Sequence, residues 1–165
     1  MSYNYDPELQ SLLEFLPDTS LGIHDPVQAR VSFLELIAML NADVDRSGVA
    51  IENRQIPGPA GAPGVPVRIY IPEGLNQTVP GILHIHGGGF IIGDLDSELG
   101  SCVALCRNLG VVVVSVDYRL APETPYPGPL EDCYAALKWM SSKSAQLKID
   151  PARLAVFGLS AGGGL

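Results

Sequence analysis

The chain has 165 residues, enough for one domain that buries roughly two-thirds of the surface its unfolded form exposes. With 47% hydrophobic and 17% charged residues it cannot be a disordered or highly charged tail, because such segments lack the apolar area to offset the entropy of ordering. Ten Lys plus Arg against eighteen Asp plus Glu leave a net charge of −8, the wrong sign for binding a phosphate backbone or an anionic membrane surface.

The first residues, MSYNYDPELQ, have neither a basic n-region nor an apolar h-region, and no run approaches ~18 apolar residues. No signal peptide, no membrane span and a cytoplasmic location are therefore expected. A short helix is predicted over Pro7 to Phe15, stopping before Pro17. A second begins at Asp25, which can cap it with Pro26 at the first position and Gln28 in a capping-box-like place. Val27, Val31, Leu34 and Ala38 recur at helical spacing, and the pattern ends near Asn41 and Asp43.

Beyond residue 45 the pattern changes to strands. Val49 to Gln55 and Val67 to Ile71 read as an antiparallel pair, joined by a Pro/Gly-rich surface turn from Ile56 to Pro66. Gly81 to His86 is the next strand. A helix follows over Ser97 to Leu109, with Leu99, Cys102, Cys106 and Leu109 on one face and Gly110 as its stop. Val111 to Asp117 is a continuous β-branched run, of the kind a sheet buried on both faces requires. Pro129 opens a helix to about Lys143, with Leu130, Cys133, Leu137 and Met140 inward, and Arg153 to Phe157 is the fifth strand. Three strands separated by helices imply parallel pairing, so the fold class is α/β with a helical N-terminal segment, 1–45, and a second region, 46–165. Cys102, Cys106 and Cys133 are expected as buried free thiols, since no further Cys or His follows at metal-ligand spacing.

Two glycine-rich segments each follow a predicted strand. Gly158-Leu159-Ser160-Ala161-Gly162 fits G-x-S-x-G, where small flanking residues allow a sharp strand-to-helix turn that exposes a serine hydroxyl. His86-Gly87-Gly88-Gly89-Phe90 can supply unobstructed backbone N–H groups to an oxyanion. A phosphate loop would need Gly-Lys-Ser or Gly-Lys-Thr, and a dinucleotide fingerprint a further Gly at position 92, where Ile stands.

At these residues the chain resembles the hormone-sensitive-lipase-like α/β hydrolases, a group of carboxylesterases and lipases. The resemblance also includes DYRLAPE (Asp117 to Glu123), Pro125-Tyr126-Pro127, Asp132 and IDPARLAV (Ile149 to Val156). A third glycine after Ser-Ala-Gly-Gly, Gly164, is shared with the heroin-esterase-like bacterial subgroup. The resemblance implies an α/β-hydrolase fold with residues 1–45 in the cap. It implies Ser160 as nucleophile, the N–H groups of Gly88, Gly89 and Ala161 as oxyanion hole, and His86 and Gly87 as loop supports. A small-molecule ester is the implied partner, with no cofactor or metal, and a homodimer is left open. His84 is expected to be structural, His24 to face solvent, and Asp117, Arg119 and Glu123 to form an ion-pair network that fixes the loop after the fourth strand. Leu159 stands where most of the family has Asp.

Family members complete the triad with an Asp and a His downstream of the serine, whereas only Ala161 to Leu165 follow Ser160 here. The expectation is the first part of a hydrolase, with the elbow helix left incomplete, the fifth strand an open edge, and the remainder supplied by the same gene or a partner chain. The rival reading is a non-catalytic small-molecule binder, or an inactive fragment, on the same fold.

Overall fold

The computed structural model describes residues 6–8 and 24–165. The helix expected over Pro7 to Phe15 lies outside them except for Pro7 and Glu8, which are helical. The elements are α1 (Pro26–Asn41), β1 (Val49–Ile56), β2 (Val65–Pro72), β3 (Val79–Ile85), α2 (Leu99–Leu109), β4 (Val112–Val116), α3 (Gly128–Ser142), β5 (Ile149–Gly158) and a single turn, α4 (Ala161–Gly164). Asp25 caps α1 by accepting from the N–H groups of Val27 and Gln28, and Gly110 ends α2 in the left-handed region at φ 63°.

One mixed sheet runs in the order β1-β2-β4-β3-β5. β1 and β2 are antiparallel around the Pro/Gly turn, and β2 and β4 are also antiparallel. β3 pairs in parallel with β4 on one side and β5 on the other. β4 is buried along its whole length, as its unbroken β-branched run requires. One core lies between the sheet and α3, built on Leu83, Ile85, Val114, Val116 and Met140. The other lies under α2, built on Tyr70, Leu99, Cys102, Cys106 and Val113. All three cysteines are free and buried. Because the chain leaves β3 for β4 and later returns to the opposite side of β3 as β5, the strand order reverses at β3. Crevices at such reversals, beyond the carboxyl ends of the strands, are where α/β sheets place ligands.

Three local expectations change. On α1, Val27, Val31 and Leu34 are exposed, while Ala29 and Ile37 are buried. The helix is turned so that Arg30 and Asn41 reach the body, Asn41 Nδ2 donating to Asp96 O. Leu109, the last residue of α2, is likewise exposed, where the helix gives way to Gly110. The loop after β4 is pinned by two separate pairs. Arg119 forks onto the fully buried Asp132 at 2.7 and 2.8 Å, and Glu123 pairs with Arg30 of α1 at 2.7 Å. Asp117 joins neither, lying instead among Arg68, Asp94 and Asp96.

Register places Arg68 opposite Ser115, Ser115 opposite His84 and His84 opposite Phe157, a row with polar members across the α2 face. Burial first, and then repulsion from His86 once that ring is protonated, push His84 down to about 4. Burial and the Asp94 charge push Asp117 up to about 6, against the pull of Arg68. Folding therefore excludes a proton from His84, so acidification from pH 6.5 towards 4 costs stability there. At Asp117 the folded state takes up its proton earlier, between about pH 6 and 4, so acidification adds stability. In Asp117→Asn only the histidine contribution remains. Its unfolding free energy, measured by urea titration, is expected to fall more steeply from pH 6.5 to 4 than that of the unsubstituted protein, by up to about 2 kcal/mol. Equal slopes in the two proteins would refute the assignment.

Candidate active site

The loops after β3 and β5 lie side by side at the strand-order reversal, because β3 and β5 are sheet neighbours. Ser160 sits at φ 50°, ψ −118°, outside the regions an L-residue favours, and it is exposed. The two motif glycines make that turn possible. A Cβ on Gly158 would lie 2.3 Å from Gly162 O, and one on Gly162 would lie 2.2 Å from Ile85 O and 2.5 Å from His86 O. A single turn, α4, forms despite its Ala-Gly-Gly-Gly sequence, and at four residues it is the incomplete elbow helix expected from the sequence. The N–H of Gly162 donates to Leu159 O, those of Gly163 and Gly164 to Ser160 O and that of Leu165 to Ala161 O, and the missing side chains let the turn press onto the end of β3.

The glycine loop approaches the serine closely: a Cβ on Gly87 would stand 3.5 Å from Ser160 Cβ. Gly88 and Gly89 take φ 120° and 59°, and a Cβ on Gly88 would meet Ile92 O at 2.1 Å. Peptide planarity then fixes where three N–H groups point, since a trans peptide directs its N–H opposite to its C=O. Gly87 O accepts from His86 Nδ1 at 2.7 Å, which turns the Gly88 N–H away from the imidazole. Gly88 O accepts from the N–H groups of both Ile91 and Ile92 at 3.0 Å, which turns the Gly89 N–H out of the loop. Ser160 O accepts from Gly163 N–H at 3.0 Å and Gly164 N–H at 3.3 Å, which turns the Ala161 N–H away from α4. Among the described residues none of these three N–H groups has a protein acceptor.

His86 is fully buried, and its ring stacks on Tyr118 at 4.1 Å between centroids. Tyr118 Oη donates to His86 O at 2.9 Å, and a Cβ on Gly93 would collide with the imidazole at 2.3 Å. Only a ring with its proton on Nδ1 can donate to Gly87 O, and burial lowers the pKa of His86, favouring that neutral form. His84 is buried beneath it and His24 is exposed just before α1. Leu159 is partly exposed beside the serine, and its N–H donates to Ile85 O at 3.3 Å. Tyr118 has no counterpart among the expected site residues. Its place immediately after the β4 run was the available signal, since β4 neighbours β3 and ends at the same sheet edge. Among the described residues no three His, Cys, Asp or Glu side chains converge as a metal site would need, and no helix is long and apolar enough to cross a membrane.

A family model described as an alpha/beta hydrolase fold matches residues 82–165. Carboxylesterase NlhH of Mycobacterium tuberculosis is 38% identical over 162 residues, covering 97% of this chain and 49% of its own length. Esterase LipI of the same species is 40% identical over 164 residues, covering 96% and 48%. Among solved structures, a bacterial heroin esterase superposes with a TM-score of 0.89 at 45% identity, covering 96% of this chain and 50% of that one. An esterase of Pyrobaculum calidifontis gives 0.84 at 33% identity, covering 97% and 50%. The chain spans about half the length of the curated relatives it matches.

Gly162→Ala is expected to destabilise the protein by about 3 kcal/mol, because its Cβ meets two backbone carbonyls that cannot rotate aside. Gly164→Ala, whose Cβ would rest 3.6 Å from the Phe90 ring, is expected to be tolerated. Thermal unfolding of both variants checks the contrast, and equal midpoints would show that the elbow is not so closely packed. The family match spans both the glycine loop and the serine turn, and the chain belongs to the α/β-hydrolase fold family.

Proposed function

We propose that the protein is a carboxylic ester hydrolase acting on short-chain acyl esters, with Ser160 as its nucleophile. The observation that carries this reading is the set of N–H groups of Gly88, Gly89 and Ala161, their carbonyls tied back, beside a serine on a sharp turn. Ser160 Oγ attacks the ester carbonyl as a histidine base takes its proton, and the three N–H groups stabilise the oxyanion. The alkoxide leaves as the alcohol with that proton. Water then attacks the acyl-serine through a second oxyanion and releases the acid. The chemistry requires no cofactor.

His86 cannot serve as the base while its Nδ1 proton is bonded to Gly87 O and its ring is buried against Tyr118. Its role is to support the loop, together with Gly87. The base and the acid that orients it are assigned to residues outside these 165, in keeping with relatives about twice as long. Residues 1–45 are assigned to a cap beside the site, and the working compartment to the cytoplasm. The rival reading is a non-catalytic small-molecule binder on the same fold.

With the protein at its natural full length, Ser160→Ala is expected to lower turnover of a short-chain nitrophenyl ester by at least about a thousandfold. Unchanged turnover would overturn the assignment, and absence of turnover in both proteins would favour the binder. Residues 1–165 alone are expected to hydrolyse the ester at close to background rate, because an oxyanion hole without base and acid retains little catalysis. Clear hydrolysis by that piece, lost in Ser160→Ala, would place a working base within it.

A further inference from the structure

Arg30 of α1 lies 61 residues before Ile91 in sequence, yet its guanidinium is spread over three parts of the site's support. Nε donates to Ile91 O at 2.8 Å, Nη2 to Ala121 O at 2.8 Å, and Nη1 and Nη2 to the Glu123 carboxylate at 2.8 and 2.7 Å. As an ion pair the contact is unremarkable for stability, since the Arg30 and Glu123 side chains are 26% and 57% exposed. What it touches matters more.

The peptide unit whose carbonyl Arg30 holds, Ile91–Ile92, uses its N–H on Gly88 O at 3.0 Å. The Gly88–Gly89 unit in turn carries the Gly89 N–H. The chain of bonds therefore runs from the guanidinium through two peptide units to Gly89 N–H. A parallel branch reinforces it: Ala121 N–H donates to Phe90 O at 2.9 Å, and the N–H of that Phe90–Ile91 unit also donates to Gly88 O. Ala121 O is the second carbonyl that Arg30 holds. Both donors to Gly88 O are thus braced from behind, one by Arg30 directly and one through Ala121.

We propose that Arg30 is a positioning residue for ester hydrolysis, holding and polarising the peptide chain that ends at the Gly89 N–H and thereby coupling α1 to the oxyanion hole. A cation at the head of aligned peptide dipoles strengthens each hydrogen bond after it, and the fork of the guanidinium supplies the geometry that fixes the loop. The inference rests on the proposed esterase reading, and Ser160→Ala tests that reading separately.

The experiment compares Arg30→Lys and Arg30→Gln with the unsubstituted full-length protein on a short-chain nitrophenyl ester, with thermal unfolding measured in parallel. A lysine can keep a charge near Glu123 but cannot hold both carbonyls and the carboxylate in one plane. Removing a whole oxyanion donor costs about 10²–10³ in kcat, so a displaced one is expected to lower kcat about tenfold with KM within twofold. Arg54→Ala, which removes a pair with Glu52 on β1, is the control expected to keep full activity. Folded Arg30 variants with unchanged kcat, or with a raised KM alone, would overturn the proposal. Failure of both variants to fold would overturn it too, making Arg30 a stability element. If Ser160→Ala retains activity, the esterase reading itself fails, whatever Arg30 does.

Discussion

A planar trans peptide cannot point its carbonyl one way without pointing its N–H the other, and the site depends on that constraint at three places. His86 holds Gly87 O, Ile91 and Ile92 hold Gly88 O, and Gly163 and Gly164 hold Ser160 O. Each bond is ordinary, worth about 1 kcal/mol net. Together they orient three donors before any ligand arrives, which spares the reorganisation that water would require. Glycine is needed because the carbonyls and the N–H groups must crowd together, as the 2.1 Å and 2.2 Å approaches of imagined Cβ atoms at Gly88 and Gly162 make plain.

The sheet brings these peptides together. β3 and β5 start 70 residues apart, at Val79 and Ile149, and become neighbours only because β4 is inserted on the other side of β3. Charge then secures the loops more than it stabilises the molecule. In the Arg119–Asp132 pair only the carboxylate is fully buried, the guanidinium being 29% exposed, and removing Arg119 is costly because it strands that buried charge. Arg30 and Glu123 are exposed, and pairs of that kind contribute about 0.2–1 kcal/mol. Their importance lies in which carbonyls the guanidinium reaches.

Much of this organisation was legible in the residues themselves. The run VVVVSV predicts a strand covered on both faces, Asp25-Pro26 a helix start, Gly110 a helix stop, and the glycine flanks of Ser160 a sharp turn, because each depends on local sterics or hydrogen bonding. The inward face of α1 was not legible. Val27, Val31 and Leu34 have the better apolar spacing, yet Ala29 and Ile37 are buried, because Arg30 draws that side of the helix onto the loops. The partners of Glu123 and Asp132 were equally hidden, since an ion pair between distant segments leaves no periodicity in the chain.

The sequence alone determined the element order, the parallel character of β3, β4 and β5, and the two loops able to expose a serine and free N–H groups. These follow from propensity, spacing and the steric freedom of glycine, which act over a few residues. Only the tertiary structure decided that the loops are neighbours, that the His86 ring is bonded to Gly87 O, and that α1 reaches the glycine loop through Arg30. Those outcomes depend on strand order and on which carbonyls are brought within 3 Å of a donor across 60 or more residues, and local sequence carries no record of that distance.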